Sequence, residues 1–463
     1  MEAESTVRIA ASEPGGGFFT DRAFYRKLVR LALPITLQAL LVALVAACDA
    51  AMLGRVDQNA MAAVSLATQI QFLQNMGVFA ITTAIALLGA QYWGKGDRES
   101  VGRIFRIGLR SVGFVSATVA ALCLVCPRAL MLAFAQDGPL ADIGAGYLRI
   151  AGLSYLLVGV SQCYLTILKV SDRAALAAKI AGGAVALNIV LNAVFIYGLG
   201  PVPALGARGA ALATLLARVA ELAAAALSAR APDAVRPEWR RLFERMPGLS
   251  GDFRRAVLPL VGGVVFWGCG FASYTAVMGH LGPDTAAANA AAAVVRDLLC
   301  CLTDGMAGAT VVLVGNELGA GRLARGRLYG NRMGVLSILV GLVVAGAVLA
   351  VAPAVLRSMS LTPAAHALLG RMFWVLAPYM VGRCINTIVI NGVFTAGGDT
   401  LFDFYSLGVA MWCLAVPLSL LGAFVLHWPP VVVYACTCVD EVGKLPWVLH
   451  HYLRYRWVKD LTR

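Results

Sequence analysis

Twelve apolar stretches follow one another along the 463-residue chain, each long enough to cross a lipid bilayer as a helix. They cover about 29–53, 60–91, 104–127, 143–170, 174–199, 205–230, 255–279, 285–317, 331–353, 364–396, 402–426 and 429–451. A helical span needs about 20 apolar residues, and several stretches exceed that, which allows tilt. Hydrophobic residues make up 60% of the chain and charged residues 14%, against about 45–50% and about 25% in soluble domains. An ordinary water-soluble enzyme and a disordered or fibrous chain are therefore excluded, and the fold class is an all-α polytopic membrane protein. Pro34, Pro259, Pro378 and Pro417 fall inside stretches, where each removes a backbone hydrogen bond and permits a kink.

Lys and Arg number 38 against 25 Asp and Glu, a net charge of +13. The basic residues sit in alternate short connections. One set holds Arg22, Arg26 and Lys27, then Lys95, Arg98 and Arg103, then Arg236, Arg240 and Arg241, then Arg322, Arg325 and Arg327, and finally Arg454 and Arg456. The other set carries little beyond Arg55, Arg128, Arg208, Arg357 and Arg371. This is the cytoplasmic bias of membrane proteins rather than a nucleic-acid surface, so both termini are expected in the cytoplasm of a cell-membrane protein. The eleven Cys stand mostly alone in apolar runs, and Cys123–Cys126 has no second pair to complete a metal site. No secretory signal opens the chain; residues 1–28 are expected to be a cytoplasmic tail with an interfacial helix at 20–28.

The chain repeats itself. Leu33-Pro34 recurs as Leu258-Pro259, Gly54 as Gly279, Ala62-Ala63 as Ala287-Ala288, and Gln91-Tyr-Trp-Gly94-Lys-Gly96 as Asn316-Glu-Leu-Gly319-Ala-Gly321, always 225 residues apart. With six spans in each half, the repeats are parallel and enclose a cleft able to open to either side. The expected division is a tail (1–28), a first lobe (29–230), a cytoplasmic linker with a short amphipathic helix (231–254), a second lobe (255–451) and a tail (452–463).

These residues resemble the multidrug and toxic compound extrusion (MATE) family of antiporters. The resemblance rests on Leu33-Pro34, Asp49-Ala-Ala-Met-Leu-Gly54, Gln91-Tyr-Trp-Gly94-Lys-Gly96-Asp97, Asn188-Ile-Val-Leu-Asn192, Gly206-Ala-Arg-Gly209, Gly315-Asn-Glu-Leu-Gly319-Ala-Gly321 and Gly397-Gly398-Asp399-Thr400, and runs from about 25 to 455. It implies two six-helix lobes in a V, with export of organic cations or other amphiphiles driven by inward H⁺ or Na⁺. No other cofactor is expected, and the working unit is expected to be a monomer in the bilayer.

Asp49 is the foremost candidate for ion coupling. An ionisable group in mid-span costs about 2.5–3.5 kcal/mol and is a functional site by default, and the resemblance matches it to the family's coupling aspartate. Asn188 and Asn192 lie one helical turn apart on one face, and the resemblance places them across from Asp49. Some relatives carry an acid at the second of these positions, so Asn192 leaves one carboxylate here. The repeat counterpart of Asp49 is Tyr274, so that carboxylate is not duplicated. The second half instead holds Arg296, Asp297 and Asp304 in its second span, Arg383 and Asn386 in its fourth, and Asp440, Glu441 and Lys444 in its last. So many charges must face a cavity or one another: they form either a buried ion-pair network or a place where Asp297 or Asp304 meets cationic substrate or a second coupling ion. Gln38 and Gln162 are candidate cleft residues. Arg218 and Glu221 are expected to pair near the cytoplasmic end.

There is no Walker motif, and no HExxH or Ser-His-Asp arrangement, so neither ATP-driven transport nor an enzyme is expected. A lipid-linked oligosaccharide flippase is the alternative: it needs cleft cations for pyrophosphate, for which Arg296 and Arg383 are available. The major facilitator class shares twelve spans but not these repeat motifs.

Overall fold

A computed structural model describes residues 21–54, 58–132, 138–198, 203–244, 246–359 and 361–462, without the side chains of 44–51, 53–54, 58–61, 139 and 247. The first half comprises α1 (Arg22–Gly54), α2 (Gln58–Lys95), α3 (Arg98–Val125), a short α4 (Pro127–Leu132), α5 (Pro139–Val170), α6 (Ala174–Tyr197) and α7 (Gly206–Ser228). The second half comprises α8 (Pro247–His280), α9 (Pro283–Gly319), α10 (Leu323–Ser358) and α11 (Pro363–Ile388). It continues with α12 (Thr400–Leu407), α13 (Val416–Leu420), α14 (Pro430–Thr437), α15 (Val439–Gly443) and α16 (Leu445–Leu453). Ten of the helical segments, among the described residues, are long and apolar enough to cross a membrane. The protein is thus an all-α, multi-pass membrane protein.

Helix ends follow local chemistry. The Asp97 carboxylate caps α3 by accepting from the Ser100 amide at 2.9 Å, and Thr362 Oγ1 accepts from the Ala365 amide at 3.2 Å to cap α11. Proline opens α5, α8, α9 and α11, where its missing N–H costs nothing. Several helices run past the apolar stretches on the basic side: α1 begins at Arg22, α8 at Pro247 and α10 at Leu323. Hydropathy marks only the lipid-embedded part of a helix, so charged extensions escape it. The expected interfacial helix is the first turns of α1. The expected amphipathic helix in 231–254 is reduced to one tight turn at Trp239–Arg241.

α11 and α12 depart from regular geometry. α11 continues through widened turns at Val389–Phe394, and α12 through Gly408–Ala415 and, beyond α13, Leu421–Val425. Such turns displace the normal hydrogen-bond ladder and concentrate at functional sites. The last span is likewise interrupted, at Cys438 and at Lys444.

The connections α2–α3, α5–α6 and α9–α10 lie at one end of the bundle, here the basic end. There the two halves meet backbone to backbone. Gly94 packs on the main chain of Asn316, and Gly319 on the main chain of Gln91; a Cβ on either would overlap it. Two residues further on, Gly96 (φ 85°) and Gly321 (φ 73°) turn the chain in the left-handed region. The repeated Gly-x-Gly therefore has two separate physical demands, close approach and then reversal. Gln91 is fully buried here: its Nε2 donates to the Ala396 carbonyl at 2.7 Å, and its Oε1 accepts from the Leu461 amide at 2.7 Å. Gly319→Ala should hold this end apart. With overpacking costing about 1–3 kcal/mol, transport should fall about tenfold with normal membrane insertion; undiminished transport would show that the contact is dispensable.

α1 belongs to both halves. Its first turns bury Phe24, Leu28 and Leu31 against Leu313, Met333 and Trp457 of the second half. Arg332, 1% exposed, reaches Asp21 at 2.6 Å. That hydrogen bond holds the Asp21 carboxyl below the usual carboxylate range. The pair therefore adds stability above the ordinary Asp pKa of about 4, and loses it as pH falls through the lowered value. Farther along, Leu41 abuts Gly182 of α6, and Tyr197 Oη donates to the Met52 carbonyl at 3.3 Å. Pro34 lies between the two regions, so one helix joins the halves through a potential hinge.

Candidate functional site

α9 is nearly fully buried from Gly305 to Gly319, where it lies against α1 and α2: Gly305 abuts Thr36, Gly308 abuts Ile35 and Gly315 abuts Ala90. Asp297, Cys301, Asp304 and Gly308 fall at i, i+4, i+7 and i+11, so Asp297 and Asp304 continue the same face toward the far end. There they are exposed, as are Val294, Leu298 and Leu302. α2 behaves alike. Met76 touches Gly268 of α8, while Phe72, Leu73 and Phe79 are exposed. The halves are thus closed at the basic end and parted toward the far end. Across the opening, Phe72 and Phe79 correspond by the 225-residue repeat to Asp297 and Asp304. One wall is aromatic, the other acidic.

The first half holds the predicted coupling region. Asn188 Nδ2 donates to Thr214 Oγ1 of α7 at 3.3 Å, and Asn192 Nδ2 to Asn188 Oδ1 at 3.2 Å. Asn188 and Asn192 are buried, and the chain of amides ties α6 to α7. The Asp49 side chain lies outside the described residues. The backbone at 49 falls between Leu41, level with Gly182, and Met52, level with Tyr197, which puts it at the height of Asn188 and Asn192. Thr214 was not foreseen; one Thr in an apolar helix carries no signal until its neighbour is known. Gln38 is buried on α1 with Oε1 unpaired. Gln162 is half-buried on α5, which packs within the first half, and is not on either facing wall. Arg218 pairs with Glu221 as expected, and Ser161 Oγ also donates to Glu221 at 3.1 Å.

In the second half, most of the charges form a network. Glu441 is buried and receives Arg383 Nη1 at 2.6 Å, Lys444 Nζ at 2.9 Å and Asn386 Nδ2 at 2.7 Å. Asn386 Nδ2 also reaches the Glu441 carbonyl at 2.7 Å. Tyr274, on α8, donates to Asp440 Oδ2 at 3.3 Å. Arg296 bonds the carboxylate of Asp297 at 2.9 Å and covers the Phe271 ring at 4.7 Å. A cavity of about 40 Å³ lies among Tyr274, Arg296, Tyr379, Tyr434 and Thr437. It has room for a few waters and none for a drug. Asp304 makes no hydrogen bond and stands on the open wall. The structure therefore separates the predicted candidates: Arg383 and Asn386 lie in the buried network, Tyr274 and Arg296 at its cavity, and Asp297 and Asp304 on the cleft.

A two-lobed helical bundle, closed at one end around a cleft with acids on its wall, defines a membrane transporter. The MatE family profile matches residues 34–194 and 259–421, one match per repeat, and the chain belongs to that family. It is 30% identical over 319 residues to a probable multidrug resistance protein NorM of Deinococcus radiodurans, an alignment spanning 66% of either chain. It is 26% identical over 422 residues to a protein of the same description from Bradyrhizobium diazoefficiens, 86% of either chain. Among solved structures, the Vibrio cholerae MATE transporter VcmN superposes with a TM-score of 0.86 at 15% identity, covering 94% of this chain and 98% of that one. A MOP superfamily transporter from Pyrococcus furiosus gives 0.82 at 18%, covering 93% and 96%. Its description reports a binding pocket of reversed polarity. These likenesses establish the fold.

Proposed function

We propose that this MATE transporter is a secondary-active antiporter of the cell membrane, acting as a monomer with its basic end and both termini in the cytoplasm. It exports organic cations or cationic amphiphiles in exchange for inward H⁺ or Na⁺. The observation that carries this reading is the cleft itself, shut at the basic end and open at the other. The ion binds at Asp49 in the outward-open state and biases α1 and its neighbours against substrate. The ion-loaded protein turns inward, where ion is exchanged for substrate. Coupling arises from the differential affinity of the two states. In liposomes without nucleotide, an ion gradient should drive uptake of a fluorescent organic cation such as ethidium, and an ionophore for that ion should stop it. Uptake that survives the ionophore overturns the reading.

The wall chemistry supports the substrate class. A flat cation can lay its ring on Phe72 or Phe79 and its charge near Asp297 or Asp304. Asp297→Asn with Asp304→Asn should raise the KM for ethidium about tenfold and leave ion binding unchanged; an unaltered KM would remove these acids from the substrate site. The flippase alternative loses its support, because Arg296 and Arg383 are each already bound to a carboxylate.

A further inference from the structure

Around the Glu441 network the second half has more acid than base. Asp297, Asp304, Asp403, Asp440 and Glu441 stand against Arg296, Arg383 and Lys444. The Arg296–Asp297 pair is neutral, and Glu441 occupies both Arg383 and Lys444. Asp304 reaches the cleft, where solvent or substrate can compensate it. Asp403, half-buried on α12, lies within the fields of Lys444 and Arg383. Asp440 is different: it is 1% exposed, and among the described residues the side chain that reaches it is Tyr274, which donates to Oδ2, with the Glu441 amide beside it. Its Oδ1 has no partner, and neither has Asn386 Oδ1 in the same cluster. A buried carboxylate oxygen with no donor costs several kcal/mol, and two such acceptors lie in one cluster.

We propose that Asp440 is a second proton-binding site of the transporter, filled from the cleft by way of the tyrosine-lined cavity beside it. A proton on Oδ1 neutralises the excess acid, turns an orphaned acceptor into a donor and leaves Oδ2 to accept from Tyr274. The route is built in. Asp297 and Arg296 stand at the cleft wall, Arg296 lines the cavity, and Tyr274 lines it from the other side while bonding Asp440. A proton entering from the cleft on cavity water passes to the Tyr274 hydroxyl as that hydroxyl gives its own to Asp440 Oδ2, and a half-turn of the carboxyl group then returns an unprotonated oxygen to Tyr274, so none is created or lost. The groups facing Asp440 are Tyr274 on α8, Tyr379 and Arg383 on α11, Cys438 at the end of α14, and Glu441 and Lys444 on its own segment. The site lies in the half opposite to Asp49 and adds one proton to the ion that Asp49 binds. It rests on the antiport reading for its role, but its occupancy is a property of the resting protein.

Infrared difference spectra of the purified protein between acid and alkaline pH test this without any substrate. The carboxylic C=O stretch of a buried, protonated Asp should be present in wild type, persist in Asp49→Asn and vanish in Asp440→Asn. Asp440→Glu shifts the band and serves if Asp440→Asn does not fold. Persistence of every carboxylic band in Asp440→Asn, or an unshifted spectrum in Asp440→Glu, overturns the proposal. So does loss of the band on adding Na⁺ at constant pH, which would make the site a sodium site. Failure of Asp49→Asn to uncouple transport, with the Asp440 band intact, would instead count against the coupling role of Asp49 alone.

Discussion

Asp49→Asn should reduce gradient-driven export to that of empty liposomes while the protein inserts, folds and binds substrate normally. Asn keeps the size of Asp and can still form hydrogen bonds, so the change removes charge and little else. Asn can neither take up a proton nor give a cation a full negative charge. Moving a two-state equilibrium from almost wholly one state to almost wholly the other requires a preference of about 5.5 kcal/mol. An ion that has lost its carboxylate cannot supply it. The measurement is ethidium efflux against substrate affinity in one preparation. Efflux should fall at least about a hundredfold and affinity change by less than about threefold. Comparable losses in both would mean that Asp49 is structural.

Glu441→Ala should produce the largest loss of stability of any single change in the second half. It removes the acceptor for Arg383, Lys444 and Asn386 together. Arg383 and Lys444 then remain as charges with little exposure, 18% and 5%, without the carboxylate that both bond. Breaking a buried pair in this way costs about 3–5 kcal/mol, which should lower Tm by roughly 10 °C. Replacing Arg383, Glu441 and Lys444 together by Met should recover much of the loss, because neither base is left without the carboxylate it bonds. A Tm within about 2 °C of wild type for Glu441→Ala would mean that the network does not carry the fold.

Much of this architecture was legible in the chain. Lipid allows only elements that satisfy their own backbone, so hydropathy alone marked the spans to within a few residues wherever they lie in the apolar layer. The 225-residue repeat placed Gly94 opposite Gly319 in kind, and the structure shows each packed on the main chain beside the other. Arg218 and Glu221 were legible because i,i+3 is a fixed geometry on a helix. What periodicity cannot convey is which helices become neighbours. Asp440 and Glu441 are adjacent in sequence, yet one gathers three side-chain donors and the other a single hydroxyl, because their side chains point to different helices. The sharing of α1 between halves was hidden for the same reason: its amphipathicity does not say which bundle buries it. The widened turns of α12 flank Pro417, which the sequence marked as a place for a kink; that of α11, at Val389–Phe394, lies well beyond Pro378 and had no comparable mark.

Reversal of direction is the most direct test of antiport. In sealed proteoliposomes holding ethidium at equal concentration inside and out, with no nucleotide, an H⁺ or a Na⁺ gradient is imposed first one way and then the other. The account predicts that one of these ions drives ethidium uphill against its own flow, that inverting the gradient inverts the movement, and that Asp49→Asn abolishes both. Ethidium that stays at equilibrium under every gradient, or that moves the same way whichever side is loaded, would contradict it.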